Sequence, residues 1–249
     1  MTMLTIVMPC YNEGQRIYRN LIETATQVEK FCHSFKIVVV NDGSNDETES
    51  EIRRAIARDR RIACISYKKN RGKGYAVRRG IMASNSMYTA FLDADLELPP
   101  YLLGGFMKKM EEEPIDIVIG SKLHPDSQVE YPFFRKLMSM GYYWFIKILF
   151  GLNLRDTQTG IKLFKTEVAK HIMKHVRTGG YSFDIETLAI ADKAGYSIEE
   201  MPVVVNFSRN KDSKSKIKVR SIYDMVRDSL RIKMYVSKLK LNSGGLSDG

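Results

Sequence analysis

Two aspartates one residue apart, Asp93 and Asp95, directly follow the apolar run Tyr88–Leu92. A strand that breaks into a loop bearing two carboxylates makes a hard oxygen site. It suits Mg²⁺ or Mn²⁺ and leaves coordination positions open for a diphosphate. A D-x-D triplet arises by chance in many loops, so its neighbours decide its weight. Three more polar loops follow apolar runs: Pro9-Cys10-Tyr11-Asn12-Glu13-Gly14, Asn41-Asp42-Gly43-Ser44-Asn45-Asp46 and Asn70-Arg71-Gly72-Lys73-Gly74. Each alone reads as turn chemistry, with Asn12, Asn45 or Asp46 capping a helix. Together they supply an aromatic face, acceptors for a base or ribose, a glycine-lined cation and a metal site. A nucleoside diphosphate needs that set.

The elements that must position these loops are legible in the first half. Leu4–Met8, Phe35–Val40, Ile62–Ser66, Thr89–Leu92 and Ile115–Gly120 are β-rich runs of strand length. Asn12–Phe31, Asp46–Asp59, Lys73–Ala83 and Pro99–Glu112 suit helices, and Pro99-Pro100 marks a helix start. Such alternation predicts βαβ units and an α/β fold, a doubly wound and mostly parallel sheet with flanking helices. Ligands of such sheets bind beyond the carboxyl ends of the strands, where the four loops fall.

The chain has 249 residues, 44% hydrophobic and 27% charged, ordinary for a globular protein with a sizeable core. Its net charge of +10 is unevenly placed. Between Asn206 and Gly249 stand 11 lysines and arginines against four aspartates, so only +3 belongs to the rest. That distribution favours phosphate or anionic lipid over a uniformly basic nucleic-acid binder. Cys10, Cys32 and Cys64 are odd in number and widely spaced, as reduced core thiols in a cytoplasmic protein would be. His171 and His175 have helical spacing but no third ligand nearby in sequence, and read as a solvated helix face. The N-terminus begins as a strand rather than a signal peptide, and no run reaches the roughly 18 to 20 uncharged apolar residues of a membrane span.

The motifs P-C-Y-N-E, V-N-D-G-S-N-D, N-R-G-K-G-x-A and F-L-D-A-D-L-E, in this order and spacing, resemble the inverting family 2 glycosyltransferases with the GT-A fold. Within that family they resemble the polyprenyl-phosphate sugar synthases, which serve dolichyl phosphate with glucose or mannose. Gly120-Ser121-Lys122, Asp156-Thr157-Gln158-Thr159-Gly160-Ile161-Lys162-Leu163-Phe164 and Phe183-Asp184-Ile185-Glu186 extend the likeness, which covers roughly residues 4 to 216. The resemblance implies that Pro9, Tyr11, Glu13 and Asp42 hold the nucleoside and that Lys73 touches base or phosphate. It implies that Asp93 and Asp95 bind Mg²⁺ or Mn²⁺ and the donor diphosphate, with Glu97 assisting the metal. Asp184 and Glu186 would line the acceptor cleft. Asp156 is either a functional group near the acceptor or a structural turn residue. Lys122 stands where mannose synthases carry arginine, which would turn a bidentate grip on phosphate into a point charge.

The implied reaction is displacement at the anomeric carbon of a nucleotide sugar by a polyprenyl-phosphate oxygen. The acceptor is already anionic near neutral pH, so a strong base is dispensable, whereas cations are needed to hold two anions together. Lys122, Arg135, Arg209 and Lys216 are the candidates for the acceptor phosphate. UDP-glucose is favoured over GDP-mannose. A saccharide acceptor on the same fold would instead need a base, Asp156 or Asp184. A non-catalytic nucleotide or nucleic-acid binder is a third reading, opposed by the absence of any RNA-module signature.

Residues 1–216 read as the catalytic domain, 217–241 as a basic amphipathic helix and 242–249 as a disordered tail. Tyr131–Phe150, with its aromatic cluster around Arg135, Lys136 and Lys147, suits a helix pair in the headgroup region. The expected setting is peripheral contact with the cytoplasmic face of a membrane, and the chains could pair as a homo-oligomer.

Overall fold

The computed structural model describes residues 2–129, 133–180, 182–205 and 219–241, with backbone alone for 133–140, 142 and 219–225. Strands β1 (Leu4–Cys10), β2 (Phe35–Asp42), β3 (Ile62–Tyr67) and β4 (Tyr88–Leu92) alternate with helices α1 (Ile17–Glu29), α2 (Thr48–Arg58) and α3 (Lys73–Met82). Then come α4 (Leu102–Glu112), β5 (Ile117–Ser121), α5 (Phe133–Phe150), β6 (Ile161–Lys165), α6 (Thr166–His175), α7 (Phe183–Lys193), β7 (Ile198–Pro202) and α8 (Val219–Lys238). The strands form one sheet in the order β3-β2-β1-β4-β6-β5-β7.

The period of two in the strands builds two cores. In β1, Leu4, Ile6 and Met8 face one layer with Ile17, Leu21, Ile52 and Phe106 of α1, α2 and α4. Val7 of the same strand faces the other layer, with Val77, Ile172 and Leu188 of α3, α6 and α7. Strands covered on both sides read as continuous apolar runs, which is how β2 and β4 appear in the sequence. The expected sheet is present with one departure: β6 runs antiparallel to both neighbours, β4 and β5. The remaining pairs are parallel, so β1 to β5 and β7 all end at one edge.

The second half adds elements that periodicity does not announce. In α7 every residue from Phe183 to Ala191 is buried, so no polar face marks it as a surface helix. The span around Tyr131–Phe150 holds one helix of 18 residues rather than a pair. Only Gly141 lies within it as a weak breaker, and an isolated glycine does not end a helix. Its Ile146 joins the second core, while Trp144 and Ile148 are exposed. Helix α8 also docks on that core through Ile232 and Val236. The Lys193 ammonium donates to the Val236 and Ser237 carbonyls at 2.7 and 2.6 Å, satisfying two acceptors near its C-terminal end. The catalytic-domain boundary at 216/217 and the tail 242–249 lie outside the described residues. All three cysteines are free thiols, Cys10 and Cys32 buried.

Opposite the ligand edge, Asp116 ties three strands together. Its carboxylate accepts from Lys165 Nζ at 2.8 Å and from Ser197 N at 3.0 Å. Burial alone would raise its proton affinity, but Lys165 and Ser197 outweigh burial and hold the carboxyl below the ordinary range. A group depressed in the folded state stabilises above its unfolded pKa and loses that contribution as pH falls through the folded value. Asp116→Asn is expected to cost about 1 kcal/mol at pH 7, discounted for the half-exposed lysine. The deficit should vanish below the normal aspartate range in melts run as a pH series.

Candidate active site

The carboxyl ends of β1, β2 and β4 and the turn into α3 open on a cleft of about 450 Å³. Pro9, Tyr11, Glu13, Asp42, Lys73, Asp93 and Asp95 all line it. Residues scattered over the first 95 positions thus meet in one concavity, because parallel strands deliver their following loops to the same edge.

The loops are laced to one another. Asn12 N donates to Ser44 Oγ at 3.0 Å, and Asn45 N donates to Asn12 Oδ1 at 2.9 Å. Glu13 N reaches Thr48 Oγ1 at 2.8 Å, and Gly14 N reaches Asp46 Oδ2 at 3.0 Å. Asn12 and Asp46 thus act in turns that fix Tyr11 and Glu13, but neither caps a helix, since α1 and α2 start after Arg16 and Glu47 with no side-chain cap. Asp42, 3% exposed, accepts Arg71 N and Gly72 N, each at 2.8 Å, tying the end of β2 to the start of α3. That start is fixed from above as well. Gly74 N donates to Gly179 O at 2.8 Å. Gly72 has φ +90, and a Cβ there would stand 2.4 Å from Gly179 O, so a side chain is excluded. The Gly179 segment is held in turn by Glu186, whose carboxylate accepts Arg177 N at 3.1 Å and Thr178 N at 2.7 Å.

The cleft's charges are paired across its floor. Lys73 Nζ lies 2.7 and 2.9 Å from the two oxygens of Asp93. Burial would lower the Lys73 proton affinity, but Asp93 and Asp184 hold it above the ordinary lysine value. The Asp95 carboxyl is raised by burial and by Asp93, against the Glu97 amide that donates to it at 3.0 Å. Burial likewise raises Glu13. The turn that aims Asp95 inward puts the buried Leu96 at φ 53, a left-handed conformation that costs a non-glycine residue about 1–2 kcal/mol. Gly160 closes the floor: its carbonyl accepts Asp93 N at 2.9 Å, and a Cβ on it would stand 2.2 Å from Asp93 Oδ2.

Other candidates lie elsewhere. Glu97 pairs with Lys122 Nζ at 2.6 Å, and Lys122 N donates to Asp156 Oδ2 at 2.9 Å. Asp156 also accepts Gln158 N at 3.2 Å, as a structural turn residue does. These three form a group beside the cleft. Asp184 and Glu186 are 4% and 1% exposed, Asp184 in an ion pair with Lys162 and Glu186 under the Gly179 segment, so neither lines an open acceptor cleft. The Arg135 side chain, Arg209 and Lys216 lie outside the described residues. Two residues of the D-T-Q-T-G-I-K motif with no role assigned from the sequence, Gly160 and Lys162, also help form the site.

Four buried side-chain atoms among the described residues have no hydrogen-bond partner: Glu13 Oε2, Tyr67 OH, Ser121 Oγ and Thr159 Oγ1. That Glu13 oxygen is nonetheless in an ion pair with Arg16 at 3.0 Å. All four residues sit at the carboxyl ends of strands or in the turn before β6. Native proteins rarely leave such atoms unpaired, and their gathering at one edge marks it as a place for a polar ligand.

The sequence model of Glycosyl transferase family 2 matches residues 5–173. The chain belongs to this family. It is therefore a glycosyltransferase, and the non-catalytic reading falls away. Dolichyl-phosphate beta-glucosyltransferase of Dictyostelium discoideum is 32% identical over 245 residues, covering 92% of this chain and 73% of that protein. The protein of the same name in Homo sapiens is 30% identical over 225 residues, covering 85% and 69%. The fold matches glucosyl-3-phosphoglycerate synthase from Mycobacterium tuberculosis, solved with UDP, at TM-score 0.68 and 17% identity over 96% of this chain and 81% of that one. Another structure of that enzyme holds Mn²⁺, UDP and glucosyl-3-phosphoglycerate, at TM-score 0.68 and 16% identity with the same coverage.

Gly160→Ala tests how tightly the floor sets Asp93. The added methyl must displace a carboxylate pinned by Lys73, and sugar transfer is expected to fall about a hundredfold, the scale of an ångström's misplacement. The melting temperature should change by only a few degrees. Wild-type turnover in this variant would show that the Asp93 position does not matter.

Proposed function

We propose that this glycosyltransferase moves glucose from UDP-glucose to a polyprenyl phosphate of the dolichyl type, with inversion at the anomeric carbon. The observation that carries the reading is the single cleft in which a tyrosine ring, the acids Glu13 and Asp42, a lysine and the D-x-D carboxylates converge. The relatives named dolichyl-phosphate beta-glucosyltransferase, matched along most of the chain, support the donor sugar and the acceptor. A β-linked product from an α-linked nucleotide sugar requires one inversion.

The residues present fit a divalent cation. Asp93 and Asp95 are hard oxygen donors facing a cleft, and the like charge of Asp93 raises Asp95, a strain that a cation relieves. Among the described residues no third His, Cys, Asp or Glu completes a cage. The remaining ligands would be diphosphate oxygens and water, the usual manner of Mg²⁺ and Mn²⁺. Bound there, the ion would neutralise charge building on the departing diphosphate.

In this reading Tyr11 offers its half-open ring to the base and Glu13 accepts a hydrogen bond from base or ribose, while Asp42, bonded to the Arg71 and Gly72 amides, shapes the wall behind them. Lys73 supplies a positive charge beside the diphosphate, where charge develops in the transition state. The acceptor phosphate attacks as an anion, so no group has to remove a proton from it. Lys122 offers a cation near the β5 edge, while it also holds Glu97. The saccharide-acceptor alternative needs a base. Asp156 is bound to two backbone amides and Asp184 is buried on Lys162, which favours the lipid phosphate.

We further infer that the protein works at a membrane surface. Among the described residues no helix is long and apolar enough to cross a bilayer. Trp144 and Ile148 lie one turn apart on α5, 53% and 82% exposed, beside Lys147, as in a helix at the headgroup level. Binding to vesicles containing anionic lipid should drop several-fold in Trp144→Ser/Ile148→Ser. Equal sedimentation of variant and wild type would remove α5 from that surface.

Radiolabelled glucose should pass from UDP-glucose to an organic-extractable, mild-acid-labile lipid. Label confined to soluble saccharide would overturn the acceptor assignment. Asp95→Ala is expected to lower transfer by at least about a hundredfold while the melting temperature holds within a few degrees. Normal turnover there would remove the metal assignment.

A further inference from the structure

Lys162 is 1% exposed in the middle of the sheet, on a strand position paired with Phe91 of β4 and Ile119 of β5. Lysines are almost never so deeply buried unless paired. Its ammonium forms an ion pair with Asp184 in the first turn of α7 and donates to Thr159 O at 2.7 Å. A buried ion pair is weak evidence of stability, since a well-packed apolar pair of similar volume often does as well. The position therefore invites another role.

Two links join this pair to the cleft. The first runs through the backbone. Thr159, held by Lys162, precedes Gly160, whose carbonyl accepts Asp93 N and whose Cα abuts the Asp93 carboxylate. The second is electrostatic. Lys162 Nζ and Lys73 Nζ lie 5.3 and 4.9 Å from the centroid of the same ring, Phe91. Lys73 is in contact with Asp93 at the cleft and also feels the charge of Asp184 in the core. Both attract it, and Asp184 feels both lysines.

We propose that Lys162 is a positioning residue for sugar transfer: by neutralising Asp184 it leaves Lys73 to Asp93 and the donor diphosphate, while pinning the Thr159–Gly160 floor. The proposal rests on the reading above, in which Lys73 and Asp93 serve the diphosphate. Without the Lys162 charge, a buried and unpaired Asp184 draws the Lys73 ammonium away from the cleft. Removing the Asp184 charge as well cancels that pull.

The test compares wild type, Lys162→Met and Lys162→Met/Asp184→Asn, each assayed well below its melting temperature. Lys162→Met should raise the donor KM and lower kcat/KM about tenfold, a coupling of the size measured between contacting charges. The double variant should stay within about threefold of wild type. A second readout is the rise in melting temperature produced by UDP with Mn²⁺, since a ligand stabilises the form that binds it. That rise should shrink in Lys162→Met and return in the double variant. A purely structural role would lower both melting temperatures and leave their difference intact. Should Lys162→Met not fold, Lys162→Gln, which keeps a donor for Thr159 O without the charge, carries the same comparison. Wild-type KM and a full UDP shift in the single variant would overturn the proposal, as would a double variant no better than the single. If wild type itself shows no UDP shift, the reading of the cleft fails first and the proposal with it.

Discussion

Negative charge gathered at the end of a buried strand is the constraint around which the cleft is arranged. Asp93 and Asp95 leave β4 where apolar side chains lie on both faces of the sheet, and Asp184 is buried nearby. Such carboxylates keep their charge only where cations and amides answer them. Lys73 answers Asp93, Lys162 answers Asp184, and a backbone amide answers Asp95. The glycines at 72 and 160 follow from the same constraint, because each admits a neighbour closer than any side chain would allow. Leu96 in its left-handed turn is the local cost of pointing Asp95 into the cleft.

The sheet gives this charge its setting. Parallel strands bring four polar loops to one edge, and hydrogen bonds between loops turn them into a shaped wall. Much of the polar machinery binds protein rather than ligand: Asp42, Asp46 and Glu186 accept backbone amides and keep the lining groups still. Preorganised dipoles of this kind do not have to reorient as charge moves in a reaction. The Tyr67, Ser121 and Thr159 hydroxyls without a hydrogen-bond partner gather at that same edge, where strands end and ladder partners run out.

The first half of the chain was readable because its strands and helices have distinct periods and its loops follow directly. Every strand predicted there is present, and the seven cleft candidates share one concavity. The second half was less readable for physical reasons. Helix α7 is buried all round and shows no amphipathic face, β6 (IKLFK) carries the buried Lys162 inside its apolar run, and the edge strand β7 (IEEMP) has no apolar run at all. The family resemblance puts Asp184 and Glu186 at the acceptor cleft, whereas both are buried. Burial is a tertiary property, and their partners Lys162 and the Arg177–Thr178 amides lie 22 and eight or nine residues away. Motif order located the site but did not tell which acids face it.

The closure of α3 by a carbonyl has one more consequence. In many nucleotide folds the amides of a helix's first turn cradle phosphate directly, as a fixed partial charge. Here the Gly74 amide is already taken by Gly179 O. The cation beside that helix start is the Lys73 side chain, a full charge on a flexible stem. Such a group can travel with a departing phosphate, where a rigid dipole stays behind.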